Sequence, residues 1–148
     1  MLQDYRLATM RGRGWNCNAE TMTLRCLIVD DSRLYLDAAR ALLEREGVDV
    51  AGVAFNGADA LRQAEALRPD VILVDIVLGE ESGIDLVRRL SEDSRAGGAA
   101  LILISTHTEA DFSAIIEESP AAGFIPKPDL SAAAIRRALD GRAVDGLG

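Results

Sequence analysis

Past the first two dozen residues, apolar positions alternate between two patterns. Leu24 to Val29, Val50 to Phe55, Val71 to Val74, Ala100 to Ile104 and Gly123 to Ile125 are short, nearly continuous apolar runs. Such runs suit strands covered on both faces, the condition of a parallel sheet. Between them, apolar residues recur at helical spacing. The first such stretch places Leu34, Ala38, Ala41 and Leu42 on one stripe, after the capping candidates Asp31 and Ser32 and before a stop at Gly47. Ala60, Ala64 and Leu67 mark a second helix that Pro69 ends. Leu86, Val87 and Leu90 mark a third, Phe112, Ile115 and Ile116 a fourth, and Leu130, Ala134 and Ala138 a fifth. The pattern predicts five βα units, an α/β doubly wound fold with one five-stranded parallel sheet, right-handed crossovers and helices on both faces.

Residues 1–23 lack an apolar period and are expected to form a flexible N-terminal tail. Met22 stands just before the patterned region, which leaves open a genuine extension or an upstream start. The domain is expected over 24–141, with a short C-terminal tail over 142–148. No output domain is expected, and signals are expected to leave through the domain's own surface. A length of 148 residues suits one domain, and 49% apolar with 27% charged residues excludes disorder throughout.

Acidic side chains outnumber basic ones 24 to 16, a net charge of -8 that argues against direct nucleic-acid binding. The apolar run Ala99 to Ile104 is far short of the roughly 20 residues that span a bilayer, and the N-terminal stretch lacks the apolar segment of a secretory signal. No membrane association and a cytoplasmic location are therefore expected. Cys17 and Cys26 are too few for a disulfide framework or a metal cluster and read as two free thiols, Cys26 packed in a strand.

Chemistry gathers at the carboxyl ends of the expected strands. Strand one leads into Asp30 and Asp31, strand three into Asp75, strand four into Ser105 and Thr106, and strand five into Lys127. In open α/β sheets the ligand crevice lies outside those ends, so the residues should converge. Three carboxylates in one crevice call for a cation or a proton. Magnesium fits, since it takes one or two carboxylates together with waters and phosphate oxygens. A lysine and a hydroxyl beside it supply donors for phosphoryl oxygens, and Asp75 is the natural nucleophile for phosphoryl transfer.

The order Asp30-Asp31, Asp75, Ser105, Lys127-Pro128, with the stretches Leu27 to Ser32 (LIVDDS), Pro69 to Asp75 (PDVILVD) and Gly123 to Pro128 (GFIPKP), resembles the receiver domain of two-component response regulators. The resemblance covers about Leu24 to Asp140 and is greatest for the receivers of LuxR-type regulators, here without the DNA-binding half. It implies a flavodoxin-like strand order of 2-1-3-4-5. It further implies that Asp75 accepts phosphate from a sensor histidine kinase or phosphotransfer protein. Mg2+ would be held by Asp30, Asp31, Asp75 and the Val77 backbone carbonyl. Ser105 matches the switch hydroxyl, Phe124 the switch aromatic, Lys127 the lysine that contacts the phosphoryl group, and Pro128 the proline that often follows a cis peptide bond. A downstream protein target is implied, with dimerisation through the face of helix four, strand five and helix five among the family's options.

The loop after Asp75, IVLGEESG, lacks the family's frequent Met-Pro but keeps Gly83. Thr106 stands where a small residue is common, so its bulk is expected to slow phosphate turnover, and Val77 is expected to exclude water on the attacking side. Taken singly, each residue has a plainer account: helix capping for Asp30 and Asp31, a strand-end turn for Asp75, local hydrogen bonding for Ser105, a solvated charge for Lys127, core packing for Phe124. His107 reads as an exposed loop residue and Glu80 and Glu81 as a solvated loop. A magnesium-dependent aspartyl-phosphate phosphatase resembling the haloacid dehalogenases is a competing class, but its nucleophile belongs in a DxD pattern where this chain reads Asp30, Asp31, Ser32. A receiver-like binding module that never takes phosphate is a third, disfavoured by the complete acidic set.

Overall fold

The computed structural model describes residues 23–93, 98–106 and 113–147. The expected tail over 1–23, except for its last residue, lies outside the described residues, as do Met22, Cys17, His107 and Phe112. Strands β1 (Arg25–Val29), β2 (Asp49–Ala54), β3 (Val71–Asp75), β6 (Ala100–Ser105) and β7 (Gly123–Pro126) form one sheet in the order β2-β1-β3-β6-β7. All its pairings are parallel, and counted on the sheet's own strands the order is 2-1-3-4-5. The small strands β4 (Val77–Leu78) and β5 (Glu81–Ser82) form a separate antiparallel hairpin after Asp75.

Helices cover both faces because successive strand residues point to opposite sides. Cys26, Ile28, Val71, Leu73, Ile102, Ile104 and Ile125 meet α1 (Arg33–Arg45) and α5 (Ala132–Leu147). Leu27, Val29, Ile72, Val74, Leu101 and Leu103 meet α2 (Gly57–Leu67), α3 (Gly83–Glu92) and α4 (Ser113–Glu118). Each strand is thus apolar on both faces, which is why period two is invisible in the sequence.

Helix α1 corrects the expected buried stripe. Leu36, Ala39 and Leu43 face the core, whereas Leu34 is 82% exposed and Ala38 and Ala41 are also exposed. The segment RLYLDAARALLER holds two apolar stripes of nearly equal merit, and its entry angle chooses between them. Asp30 Oδ1 accepts from the Ser32 amide at 2.8 Å, and Ser32 Oγ accepts from the Tyr35 amide at 3.2 Å, which orients the first turn. Two further boundaries differ from expectation. Leu130 belongs to the connector before α5, whose amide at Ala134 is capped by Ser131 Oγ, and α5 runs to Leu147, past the end expected at 141. The peptide bond before Pro128 is trans, as are all others described.

The loop after Asp75 is held by two glycines for different reasons. Gly79, at φ +58°, supplies the positive φ that a two-residue hairpin turn requires. Gly83 begins α3 where the chain folds back on β3, donating to the Ile76 carbonyl at 2.7 Å. A Cβ there would stand 1.8 Å from the Asp75 carbonyl oxygen.

Two thermal-denaturation comparisons test this packing. Leu36→Ala is expected to cost about 2–5 kcal/mol and Leu34→Ala less than about 0.5 kcal/mol. Gly83→Ala is expected to cost more than about 2 kcal/mol, because a backbone atom rather than a movable side chain meets the new methyl.

Candidate phosphoryl-transfer site

Strand register delivers the charged residues to one spot. Asp30 follows β1, Asp75 ends β3 and Lys127 follows β7, where it opens a short 3-10 turn, Lys127–Asp129. Continuing the alternation of Ile28, Leu73 and Ile125 past the strand ends puts all three on the side of α1 and α5. Lys127 reaches over the end of β6, with Nζ 2.6 Å from Asp30 Oδ2 and 3.0 Å from Asp75 Oδ2. Asp30 is fully buried, Asp75 nearly so, and Asp31 is exposed at the mouth. Asp75 Oδ1 also accepts from the Val77 amide at 3.2 Å.

One oxygen from each of Asp30, Asp31 and Asp75 lies within 4.8 Å of the others, a spacing suited to a single metal ion. Three carboxylates against one ammonium leave an excess of negative charge. The donors are hard carboxylate oxygens, that of Asp31 exposed at the mouth, so the residues present fit Mg2+. Burial pushes the Asp75 carboxyl above its ordinary value; the hydrogen bond from Lys127 pulls the other way and does not win, because Asp30 adds repulsion. Burial works against the Lys127 ammonium, but its hydrogen bonds to Asp30 and Asp75 outweigh that and raise its pKa.

Ser105 is buried at the end of β6, one residue past Ile104, the register partner of Asp75. Alternation from Leu101 and Leu103 assigns it to the opposite face, where Phe124 packs half-buried against the cluster that includes Ile116. The structure therefore brings Asp30, Asp31, Asp75 and Lys127 into contact range and sets Ser105 and Phe124 on the neighbouring face. Val77 is 48% exposed, two residues past Asp75, and Thr106 is exposed after Ser105.

Two residues near the site escaped the sequence reading. Glu81, expected in a solvated loop, accepts from the Gly57 amide at the start of α2 at 2.7 Å and so ties the hairpin to that helix. Tyr35 lies on the first turn of α1, with Lys127 Nζ 4.4 Å from its ring centroid. An aromatic residue three positions after a capping serine was the available signal for Tyr35; a carboxylate whose partner is 24 residues away offered none.

The raised Asp75 pKa makes a signed prediction for the metal-free protein. Native Asp75 holds its proton above the ordinary value near 3.8, where the unfolded chain has released it. Between those two values the native state binds more protons, so this residue's contribution to stability falls as pH rises. Asp75→Asn should flatten that slope in urea titrations at a series of pH values. At neutral pH it should raise the melting temperature, since a buried carboxylate that Asp30 repels is removed while Asp30 keeps Lys127.

Comparison with known proteins places this geometry in a family. The profile of the response regulator receiver domain matches residues 26–140. The protein-glutamate methylesterase/protein-glutamine glutaminase of Alkalilimnicola ehrlichii is 36% identical over 109 residues, covering 72% of this chain and 27% of that protein. The DNA-binding response regulator MtrA of Mycobacterium tuberculosis is 34% identical over 109 residues, covering 74% and 46%. The chain thus spans between 27% and 46% of the length of these relatives. Among solved structures, the signal receiver domain of a modulated diguanylate cyclase from Desulfovibrio desulfuricans G20 has a TM-score of 0.66 at 32% identity, covering 80% of this chain and 92% of that one. A LuxR-family two-component response regulator from Aurantimonas sp. SI85-9A1 has a TM-score of 0.64 at 27% identity, covering 72% and 75%. Matched across most of its length and folded as these relatives are, the chain belongs to the response regulator receiver domain family.

Proposed function

We propose that Asp75 accepts a phosphoryl group from a sensor histidine kinase or phosphotransfer protein in a Mg2+-dependent reaction, and that the phosphorylated form binds a downstream protein through an altered surface. The observation that supports this most directly is the contact of Lys127 Nζ with Asp75 Oδ2 inside a three-carboxylate cluster. Asp30, Asp31, Asp75 and the Val77 backbone carbonyl would hold the ion, which when bound offsets the negative charge that gathers around the transferred group. A carboxylate oxygen of Asp75 attacks phosphorus in line as the donor's N–P bond breaks. The Lys127 ammonium, already 3.0 Å from that carboxylate, meets an equatorial phosphoryl oxygen. The Ser105 hydroxyl donates to another.

The new group carries about -1.5 to -2 charge where the carboxylate carried one. Drawing Ser105 toward it frees space on the face that Phe124 occupies, and Phe124 turns inward. That reshapes the surface of α4, β7 and α5, the face on which a target or a second copy would dock. Inverting a 1:99 population needs about 5.5 kcal/mol, more than one or two charge-assisted bonds of roughly 1.5–3 kcal/mol supply after their costs. Partner binding therefore completes the switch. No described helix is long and apolar enough to cross a membrane. The net charge of -8 speaks against direct contact with nucleic acid.

Incubation with acetyl phosphate and Mg2+, followed by intact-mass measurement, tests the assignment. One phosphate per wild-type chain and none on Asp75→Asn is expected; label on the variant, or many esters hydrolysed per chain, would point to a different acceptor or to a phosphatase. In the labelled protein, Thr106→Ala is expected to lose phosphate faster than wild type, and an equal or slower loss would remove the steric role of Thr106.

A further inference from the structure

We propose that Tyr35 is a positioning residue for Lys127, its ring face holding the ammonium at the acceptor. This rests on the phosphoacceptor reading of the site. Three contacts surround Lys127 Nζ: Asp30 Oδ2 at 2.6 Å, Asp75 Oδ2 at 3.0 Å and the Tyr35 ring at 4.4 Å from its centroid. The two carboxylates are also the groups that a divalent ion in the acidic cluster would draw on, and one of them is the group consumed on phosphorylation. The ring is the contact that neither event removes. A lysine has four rotatable carbons and no preferred fork geometry, so an ammonium released by its carboxylates is otherwise free to swing into solvent. An aromatic face gives it an electrostatic seat without a competing negative charge.

The other end of Tyr35 shows which part of the side chain matters. Its hydroxyl is buried, and among the described residues it finds no hydrogen-bond partner. A buried hydroxyl without a partner is a cost that an aliphatic residue would avoid. The ring, not the hydroxyl, is the part of Tyr35 that faces Lys127. The ring is also fixed from below: the Tyr35 amide is the donor to the Ser32 cap, and the Ser32 amide in turn donates to Asp30. Acid pair, cap and ring therefore form one continuous support for the lysine. The ring also contacts the core on the side of α1 and α5, so a purely structural role predicts a stability effect alone.

Lys127 is the only lysine in the sequence, so protein grown with 13C-labelled lysine reports on this one side chain. Protons above an aromatic face are shifted upfield. The ε-methylene signal is expected upfield in wild type and Tyr35→Phe and at its ordinary position in Tyr35→Leu and Tyr35→Met; an unshifted wild-type signal overturns the stack. Labelling by acetyl phosphate with saturating Mg2+, well below each variant's melting temperature, is expected to be roughly threefold to tenfold slower in the Leu and Met variants. The Phe variant is expected to match wild type. Loss of the upfield shift with an unchanged labelling rate overturns the positioning role. A wild type that takes no label overturns the phosphoacceptor reading instead, and with it the catalytic purpose of the stack, while the ring-current comparison still decides whether the stack exists.

Discussion

An ammonium group seated between two buried carboxylates governs the arrangement at the sheet's carboxyl edge. Asp30 is fully buried and ion-paired at 2.6 Å to a lysine that arrives from a strand two places beyond its neighbour β3. Burying a carboxylate is tolerable only with a partner, so the pair links the two halves of the sheet on electrostatic grounds. The same pair leaves the cluster short of positive charge, an imbalance that a divalent cation would relieve.

The scaffold serves this cluster by being rigid where its register matters. Strands apolar on both faces are locked between two helical layers, so their ends cannot slide relative to one another. Beyond Asp75 the chain lacks a proline to stiffen it and uses backbone instead. A two-residue hairpin turn, the Gly83 approach to the Asp75 carbonyl and the Glu81 bond to the Gly57 amide hold that loop against α2 and α3. Each is a constraint on the Val77 carbonyl, which stands two residues past Asp75.

The two faces of the sheet divide the labour of the proposed switch. Asp30, Asp75, Lys127 and Tyr35 lie on the side of α1 and α5, where charge is gathered and held. Ser105 and Phe124 fall on the opposite side, toward α4, where the aromatic is half-buried. The strand-end alternation thus sets the charge chemistry beside, and not inside, the packing that a partner would sense.

Apolar runs alternating with helical periods were enough to predict the five βα units, and polar residues at run ends named Asp30, Asp31, Asp75, Ser105 and Lys127 as candidates. These features are local: a strand covered on both faces must be apolar, and a residue just past it must emerge at the sheet's edge. Tertiary structure decided what had more than one local solution. The stripe Leu36, Ala39, Leu43 prevailed over Leu34, Ala38, Ala41 because a cap bonded to Asp30 sets the helix's rotation. The trans peptide bond before Pro128, the helix running to Leu147, the Glu81 bond to Gly57 and the seat of Lys127 on Tyr35 depend on neighbours distant in sequence or on packing that no short window contains. Composition and period act through a few residues along the chain, whereas an aromatic face under an ammonium exists only once two elements remote in sequence have packed together.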